Sequence, residues 1–380
     1  MTKSPVQLTS FSACASEYSS LEHIFEAWLT PPAKVPLFPE HADESFAWKS
    51  LVDKAMESAL PVEKYRRDCG FILATTKGDI AALEATLDAE DNKKTGVNDV
   101  LRNLDGHRGY GGISQCVQAL GDRFQLHGPR FCVSTACTSG LVGLMEAAMM
   151  VSAGDAPRVL VCAGDIAGRF VRDGFLSLKA VSSTACRPFD VCRDGLALGS
   201  AAAACLVQRV ENKPKEKQGQ STVFLAGWGI SSDAVHMTAP DRRAGGLIRA
   251  IREALAMADV DPGQIDAVLL HGTGTSYNDA METVAMREIF SHRPPLTAVK
   301  GLIGHTLGAS GLLEAALAGR MLQRQIVPPI AGLRTPEYPD MSWVRAAPRH
   351  QPLQTILKTA SGFGGMNAAV VLTLSNAGRS

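Results

Sequence analysis

The stretch Phe131–Met150, FCVSTACTSGLVGLMEAAMM, decides how the rest of the chain is read. Phe131 to Ser134 has the composition of a short buried strand. Gly140 to Met150 is apolar at every position but Glu146, which predicts a helix buried on most faces. Cys137 falls at the hinge between the two. A thiol where a strand turns into a helix has unsatisfied N–H groups and the positive end of the helix dipole beside it, so the thiolate is favoured. Thr135, Ala136, Thr138, Ser139 and Gly140 are small and leave the sulfur approachable. On this stretch alone the alternative stands that Cys137 is a small buried hydrophobe.

The chain has 380 residues, enough for two ordinary domains or one large one with a substantial core. Lysine plus arginine equal aspartate plus glutamate at 38 each, so no global field points to nucleic acid or an anionic membrane. Nine cysteines lie within the first 205 residues without a C-x-x-C pair, as expected of reduced thiols rather than disulfides or a zinc site. The N-terminus lacks the apolar core of a signal peptide and no run suggests a membrane span, so a cytoplasmic protein is expected.

Outward from Cys137 the pattern alternates. Strands are expected at Val6–Ala13, Cys69–Thr76, Arg158–Ala163 and Ala201–Val210, with helices at Leu21–Leu29 and Phe46–Leu60. Thr30–Asp43, with four prolines, and the charged segment Asp88–Gly109 read as surface excursions. The charged stretch Glu211–Gln220 reads as a linker, giving two halves, 1–215 and 216–380.

In the second half, strands are expected at Thr222–Trp228, Ile265–His271, Leu296–Lys300, Thr355–Thr359 and Ala368–Leu374. Helices are expected at Gly245–Met257, Asp279–Phe290 and Ser310–Gln323. Alternation predicts an α/β protein with mainly parallel sheets covered on both faces. TSGLVGLMEAAMM after Cys137 resembles GASGLLEAALAGRM after His305, and LGSAAAACLV resembles GFGGMNAAVVL. A duplicated α/β unit accounts for both matches. Packed about a pseudo-twofold axis, such halves would bring Cys137 and His305 to one cleft.

Three second-half segments concentrate reactive groups in glycine-rich turns: LHGTGTSYND with His271, KGLIGHTLGASG with Lys300 and His305, and SGFGGMN with Phe363. With STACTSG, CRPFDVCRDG and SSDAVHMTAP, these motifs resemble, in order and approximate spacing, the elongating Cys-His-His β-ketoacyl-[acyl-carrier-protein] synthases. The resemblance runs from about Cys69 to the C-terminus. It implies the thiolase fold, duplicated α/β halves in a layered α-β-α-β-α arrangement with mixed, mainly parallel sheets, and decarboxylative Claisen condensation of an acyl group on Cys137 with a malonyl-[acyl-carrier protein].

By the same resemblance, Cys137 is the acylated nucleophile, His271 and His305 are the catalytic histidines and Lys300 supports them. Phe363 is a gate whose N–H shares an oxyanion hole with that of Cys137. Thr273, Thr275 and Gly364 would meet the phosphopantetheine arm that the acyl carrier protein delivers; no cofactor is expected to be bound to the chain itself. Asp279, Glu282 and Glu314 would support the site. For Asp279 and Glu282 a structural ion pair with lysine or arginine is the favoured reading. A metal held by Cys137, His271 and His305 is disfavoured, since no short-spaced ligand pair is present.

His305, where chain-starting relatives carry Asn, implies the elongating type, and the absence of cysteine from the second half argues against a degradative thiolase. Ser200, Met366 and a shortened segment around Pro36 and Pro39 depart from the usual pattern, implying a secondary-metabolite branch. A homodimer or heterodimer is expected, with Arg66, Arg67 and Arg187 as candidates for a basic rim facing an acidic carrier. Two alternatives stand: a subunit of a heterodimeric ketosynthase and chain-length-factor pair, and a non-decarboxylating acyltransferase of the same fold.

Overall fold

The computed structural model describes residues 6–15, 17–31, 48–80, 84, 112–209 and 221–375. Most of the proline-rich loop, the whole of the Asp88–Gly109 excursion and the expected boundary at 215/216 lie outside these residues. In the first half come β1 (Val6–Ala15), α1 (Leu21–Leu29), α2 (Trp48–Ala59), β2 (Cys69–Ala74), α3 (Ile113–Arg123), β3 (Arg130–Val133), α4 (Ser139–Ala153), β4 (Arg158–Asp165), α5 (Arg169–Ser177) and β5 (Ala201–Gln208). The second half has β6 (Thr222–Ser232), α6 (Gly245–Ala258), β7 (Ala267–Leu269), α7 (Ser276–Ile289), β8 (Leu296–Thr297), α8 (Ser310–Arg324), β9 (Thr355–Gly362) and β10 (Met366–Ser375).

These strands form one sheet in the order β3-β2-β4-β5-β1-β6-β10-β9-β7-β8. Reading outward from the β1–β6 junction, the two arms present equivalent strands in the same sequence, as a duplicated unit requires. The sheet is mixed rather than dominated by parallel pairs. Pairing is parallel on the two flanks, β3-β2-β4 and β9-β7-β8. It is antiparallel through the middle, where β5, β1, β6 and β10 meet. Alternation of helix with strand predicts only the flanks: β1–β5, β4–β5, β6–β10 and β9–β10 are antiparallel within each half, and β1–β6 joins the halves.

Side-chain period two divides each central strand between two cores. In β2 and β4, Ile72, Ala74, Val159, Val161 and Ala163 face an inner core shared with α1, α4 and α8. Phe71, Leu73, Leu160 and Cys162 face an outer core with α2 and α3. On the other arm, Ala267, Leu269, Ile356 and Ala360 face inward, while Val268, Leu270 and Leu357 pack under α6 and α7. The layers are therefore α-β-α-β-α, and burial on both faces explains why these strands read as continuous apolar runs.

The middle layer owes its tightness to two glycines. A Cβ on Gly140 would lie 2.7 Å from Leu312 N and 2.8 Å from Gly308 O, and one on Gly311 would lie 2.5 Å from Leu141 N. The N-terminal turns of α4 and α8 thus touch backbone to backbone, each glycine making room for the other helix. α4 is apolar nearly all round because it fills this layer. Ala136–Ala153 does have the length and mean hydropathy, 1.4, of a membrane-crossing helix, contrary to expectation, but 67% of it is buried inside the protein.

Three further readings need correction. β3 is not buried: it is the sheet edge, with Phe131 52% exposed and Cys132 exposed. α3 and α5 were not expected. α5 has an amphipathic period but buries only Val171, leaving Phe170 and Leu176 exposed.

Candidate active site

Cys137 sits in a tight elbow at the start of α4. Ala136 has φ +52°, a left-handed conformation costly for a residue with a Cβ. Two hydroxyls hold the elbow: Ser139 Oγ accepts from Thr135 N at 2.9 Å and donates to Ala136 O at 2.6 Å, and Thr138 Oγ1 donates to Thr135 O at 2.7 Å. The turn after β9 approaches from the other half, where a Cβ on Gly362 would lie 3.1 Å from Cys137 N. Phe363 N–H points at the thiol and, with the Lys300 ammonium, favours the thiolate; burial outweighs both and pushes the Cys137 thiol up to about 11. The expectation of a resting thiolate is thereby corrected. Desolvation of a residue only 7% exposed exceeds what the helix end returns.

The histidines face the same space. Their rings lie 5.2 Å apart, edge to face. Leu307 N–H donates to His305 Nδ1 at 3.0 Å, and the Lys300 ammonium lies 3.2 Å from His271 Nδ1. With both Nδ1 atoms accepting, each neutral ring carries its proton on Nε2. Burial, reinforced by Lys300, holds both imidazoles well below the usual histidine value, and hence neutral. Lys300 also donates to His271 O at 2.8 Å and is ion-paired with Glu314.

Each histidine is held through its backbone. His305 N donates to Ala197 O at 2.7 Å and Gly199 N to His305 O at 3.0 Å, so the first half clasps the second half's residue. Asp165, at the end of β4, accepts from Thr75 Oγ1 at 2.8 Å, Thr76 N at 2.9 Å and Gly308 N at 2.7 Å, tying both nearby turns together. Around His271, Glu282 accepts from His271 N and Gly272 N, both at 2.7 Å. Asp279 accepts from Phe189 N at 2.7 Å and Thr273 N at 3.2 Å.

The favoured ion-pair reading holds for Asp279, which pairs with the buried Arg193 at 3.7 Å. Both carboxylates also fix the HGTG turn through main-chain donors. Burial raises Asp279 to about 7. Glu314 does form buried ion pairs, with Lys300 and, at 2.6 Å, with Lys358.

A cavity of about 350 Å³ is lined by Cys137, His271, His305, Phe363, Thr273 and Thr275. Phe363 stacks on Phe175 of α5 at 5.5 Å. Gly364 does not line it; with φ +84° it shapes the turn, its N–H donating to Met237 O at 2.7 Å. Arg66, Arg67 and Arg187 do not line it either, whereas Lys179 and Asp194 do. Asp165, Phe175 and Lys358 escaped sequence reasoning. Lys358, in the apolar run TILKTAS, carried a signal: a lysine at an inward-facing strand position. Among the described residues no group of His, Cys, Asp and Glu is arranged to hold a metal.

The β-ketoacyl synthase N-terminal domain matches residues 46–213 and the C-terminal domain residues 223–334. The protein named polyketide beta-ketoacyl synthase 1 in Streptomyces halstedii is 33% identical over 80% of this chain and 75% of its own length. The 3-oxoacyl-[acyl-carrier-protein] synthase 2 of Coxiella burnetii is 31% identical over 66% of this chain and 63% of its own. Among solved structures, the ishigamide ketosynthase/chain length factor superposes with TM-score 0.83 at 23% identity over 98% of this chain and all of that one. A ketosynthase from Xenorhabdus doucetiae, in complex with its chain length factor, gives 0.75 at 24% over 98% of each chain. These structures share the fold laid out above. Two domain matches across both halves, and a relative one-third identical over most of the chain, establish that this chain belongs to the β-ketoacyl synthase family.

Proposed function

We propose that the chain catalyses decarboxylative condensation of an acyl group on Cys137 with a malonyl-[acyl-carrier protein]. The observation that carries this reading is the pair of neutral imidazoles presenting Nε2–H groups to the cavity that holds the thiol. In the first half-reaction Cys137 Sγ attacks the acyl thioester carbonyl. The new oxyanion is held by the N–H groups of Cys137 and Phe363, and the thiol proton leaves with the departing pantetheine sulfur. In the second, the malonyl carboxylate departs as carbon dioxide and its bonding electrons pass to the thioester oxygen. Nε2–H of His271 and of His305 stabilise the resulting enolate. Its carbon attacks the Cys137 thioester, and collapse of that adduct releases the Cys137 thiolate, which takes a proton from water.

Thr273 and Thr275, whose hydroxyls lie 2.9 Å apart on the cavity wall, suit the amides of the phosphopantetheine arm. An acyl carrier protein and a second ketosynthase-like chain are the proposed partners. The exposed edge strand β3, with Phe131, supports the second. We read residues 1–215 and 216–380 as the two repeats, one bearing the nucleophile and the other the histidines. Nine free cysteines suit a reducing compartment such as the cytoplasm.

The test is mass spectrometry after incubation with acyl-carrier thioesters, together with carbon dioxide release from malonyl-carrier protein. Cys137→Ala should abolish the protein adduct. His305→Ala should keep the adduct while lowering carbon dioxide release on the order of a hundred- to a thousandfold. Elongation that persists in Cys137→Ala would overturn the reading.

A further inference from the structure

Lys358 lies in β9, paired in register with Leu269 of β7 and Val370 of β10, and is fully buried. Ile356 and Ala360 face the inner core and Leu357 the outer one, so period two turns the Lys358 side chain inward, toward α8. There its ammonium meets Glu314 Oε2 at 2.6 Å, while Glu314 Oε1 pairs with Lys300. Lys300 in turn holds His271 at both Nδ1 and the carbonyl oxygen. A continuous buried series thus runs Lys358, Glu314, Lys300, His271, with Glu282 as the further carboxylate acting on Lys358.

We propose that Lys358 is a positioning residue, the buried partner that keeps Glu314 oriented so that Lys300 fixes His271 as an Nε2–H donor. The inference rests on the condensation reading above and concerns its second half-reaction. Two carboxylates, Glu282 and Glu314, face two ammonium groups, Lys300 and Lys358, in space no solvent reaches. Without Lys358 one lysine serves two carboxylates. Such an imbalance draws Lys300 towards the unpaired carboxylate. That movement degrades the hydrogen bond at His271 Nδ1. Lys358 also opposes protonation of both histidines, so its loss should raise their apparent pKa values. At Cys137 burial is the largest influence, with Lys300 second, so loss of Lys358 should weigh less on the thiol than on the histidines.

The two half-reactions therefore separate. In Lys358→Met, acylation of Cys137 by an acyl-carrier thioester should persist, which also reports a folded site. Carbon dioxide release from malonyl-carrier protein should fall on the order of a hundredfold, with the acid limb of its pH profile displaced to higher pH. In Lys358→Ala, added ethylammonium should recover part of the lost decarboxylation. Unchanged decarboxylation in Lys358→Met, or equal loss of both half-reactions without recovery by ethylammonium in Lys358→Ala, overturns the proposal. A wild-type protein that neither acylates Cys137 nor releases carbon dioxide would overturn the condensation reading itself, and this proposal with it.

Discussion

Gly140→Ala puts the most direct strain on the junction between the halves. The added methyl would sit 2.7 Å from Leu312 N and 2.8 Å from Gly308 O, about 0.7 Å inside ordinary contact distance, and both obstacles are backbone. No side-chain rotation relieves this, so α4 and α8 must separate. Helix propensity alone would favour alanine by about 0.8–1.0 kcal/mol. Overpacking a tight core costs about 1–3 kcal/mol, so a net loss of stability is expected.

The larger effect should fall on chemistry. Cys137 lies just before α4, and His305 precedes α8 by one short turn. Displacement of reacting groups by about 1 Å can cost on the order of a hundredfold in rate. The assay is single-turnover condensation beside thermal unfolding. Gly174→Ala is the internal comparison, since it lies within α5 with nothing within 4 Å of the new methyl. That variant should unfold at the same or a higher temperature. Wild-type turnover in Gly140→Ala would refute the reasoning that backbone contact between these helices sets the distance from nucleophile to histidine.

Other perturbations have equally definite outcomes. Because burial raises the Cys137 thiol to about 11, iodoacetamide labelling at this residue should keep rising about tenfold per pH unit from about pH 7 to 10; a plateau near neutrality, followed by peptide mass spectrometry, would contradict the burial argument. His271 and His305 are held neutral in the fold while the unfolded chain takes up protons below about pH 6.5, each lowering stability by about 1.4 kcal/mol per pH unit until its depressed folded value is reached. Urea unfolding should accordingly weaken less steeply with acid in a His271→Gln/His305→Gln variant. Glu282→Gln exchanges one acceptor on the His271 and Gly272 N–H groups for a poorer arrangement, and should lower decarboxylation more than Cys137 acylation in the same two assays.

Much of the site was legible because its chemistry sits in short turns whose composition betrays them. HGTGT, GHTLGASG and SGFGG spend glycines where a histidine or a main-chain donor must meet the cavity, and Gly272, Gly274 and Gly364 do adopt positive φ. Partnerships made across the fold were not legible. Asp165 meets Gly308, Lys358 meets Glu314, and Glu282 reaches the His271 turn through contacts that local patterning does not encode. The thiolate expectation failed for a related reason: the helix start is visible in sequence, but the desolvation that outweighs it is produced by packing from the other half.

By itself the sequence determined the alternation of strand and helix and the likeness of the two halves, since period and glycine placement are local properties, and the family resemblance of its motifs singled out Cys137, His271 and His305. Only tertiary structure decided the antiparallel centre of the sheet, the exposure of β3, the protonation of Cys137 and the histidine tautomers. Those depend on which backbone atoms and charges two separately coded halves bring within a few ångströms of each other, where desolvation and hydrogen bonding outweigh any single element's preference.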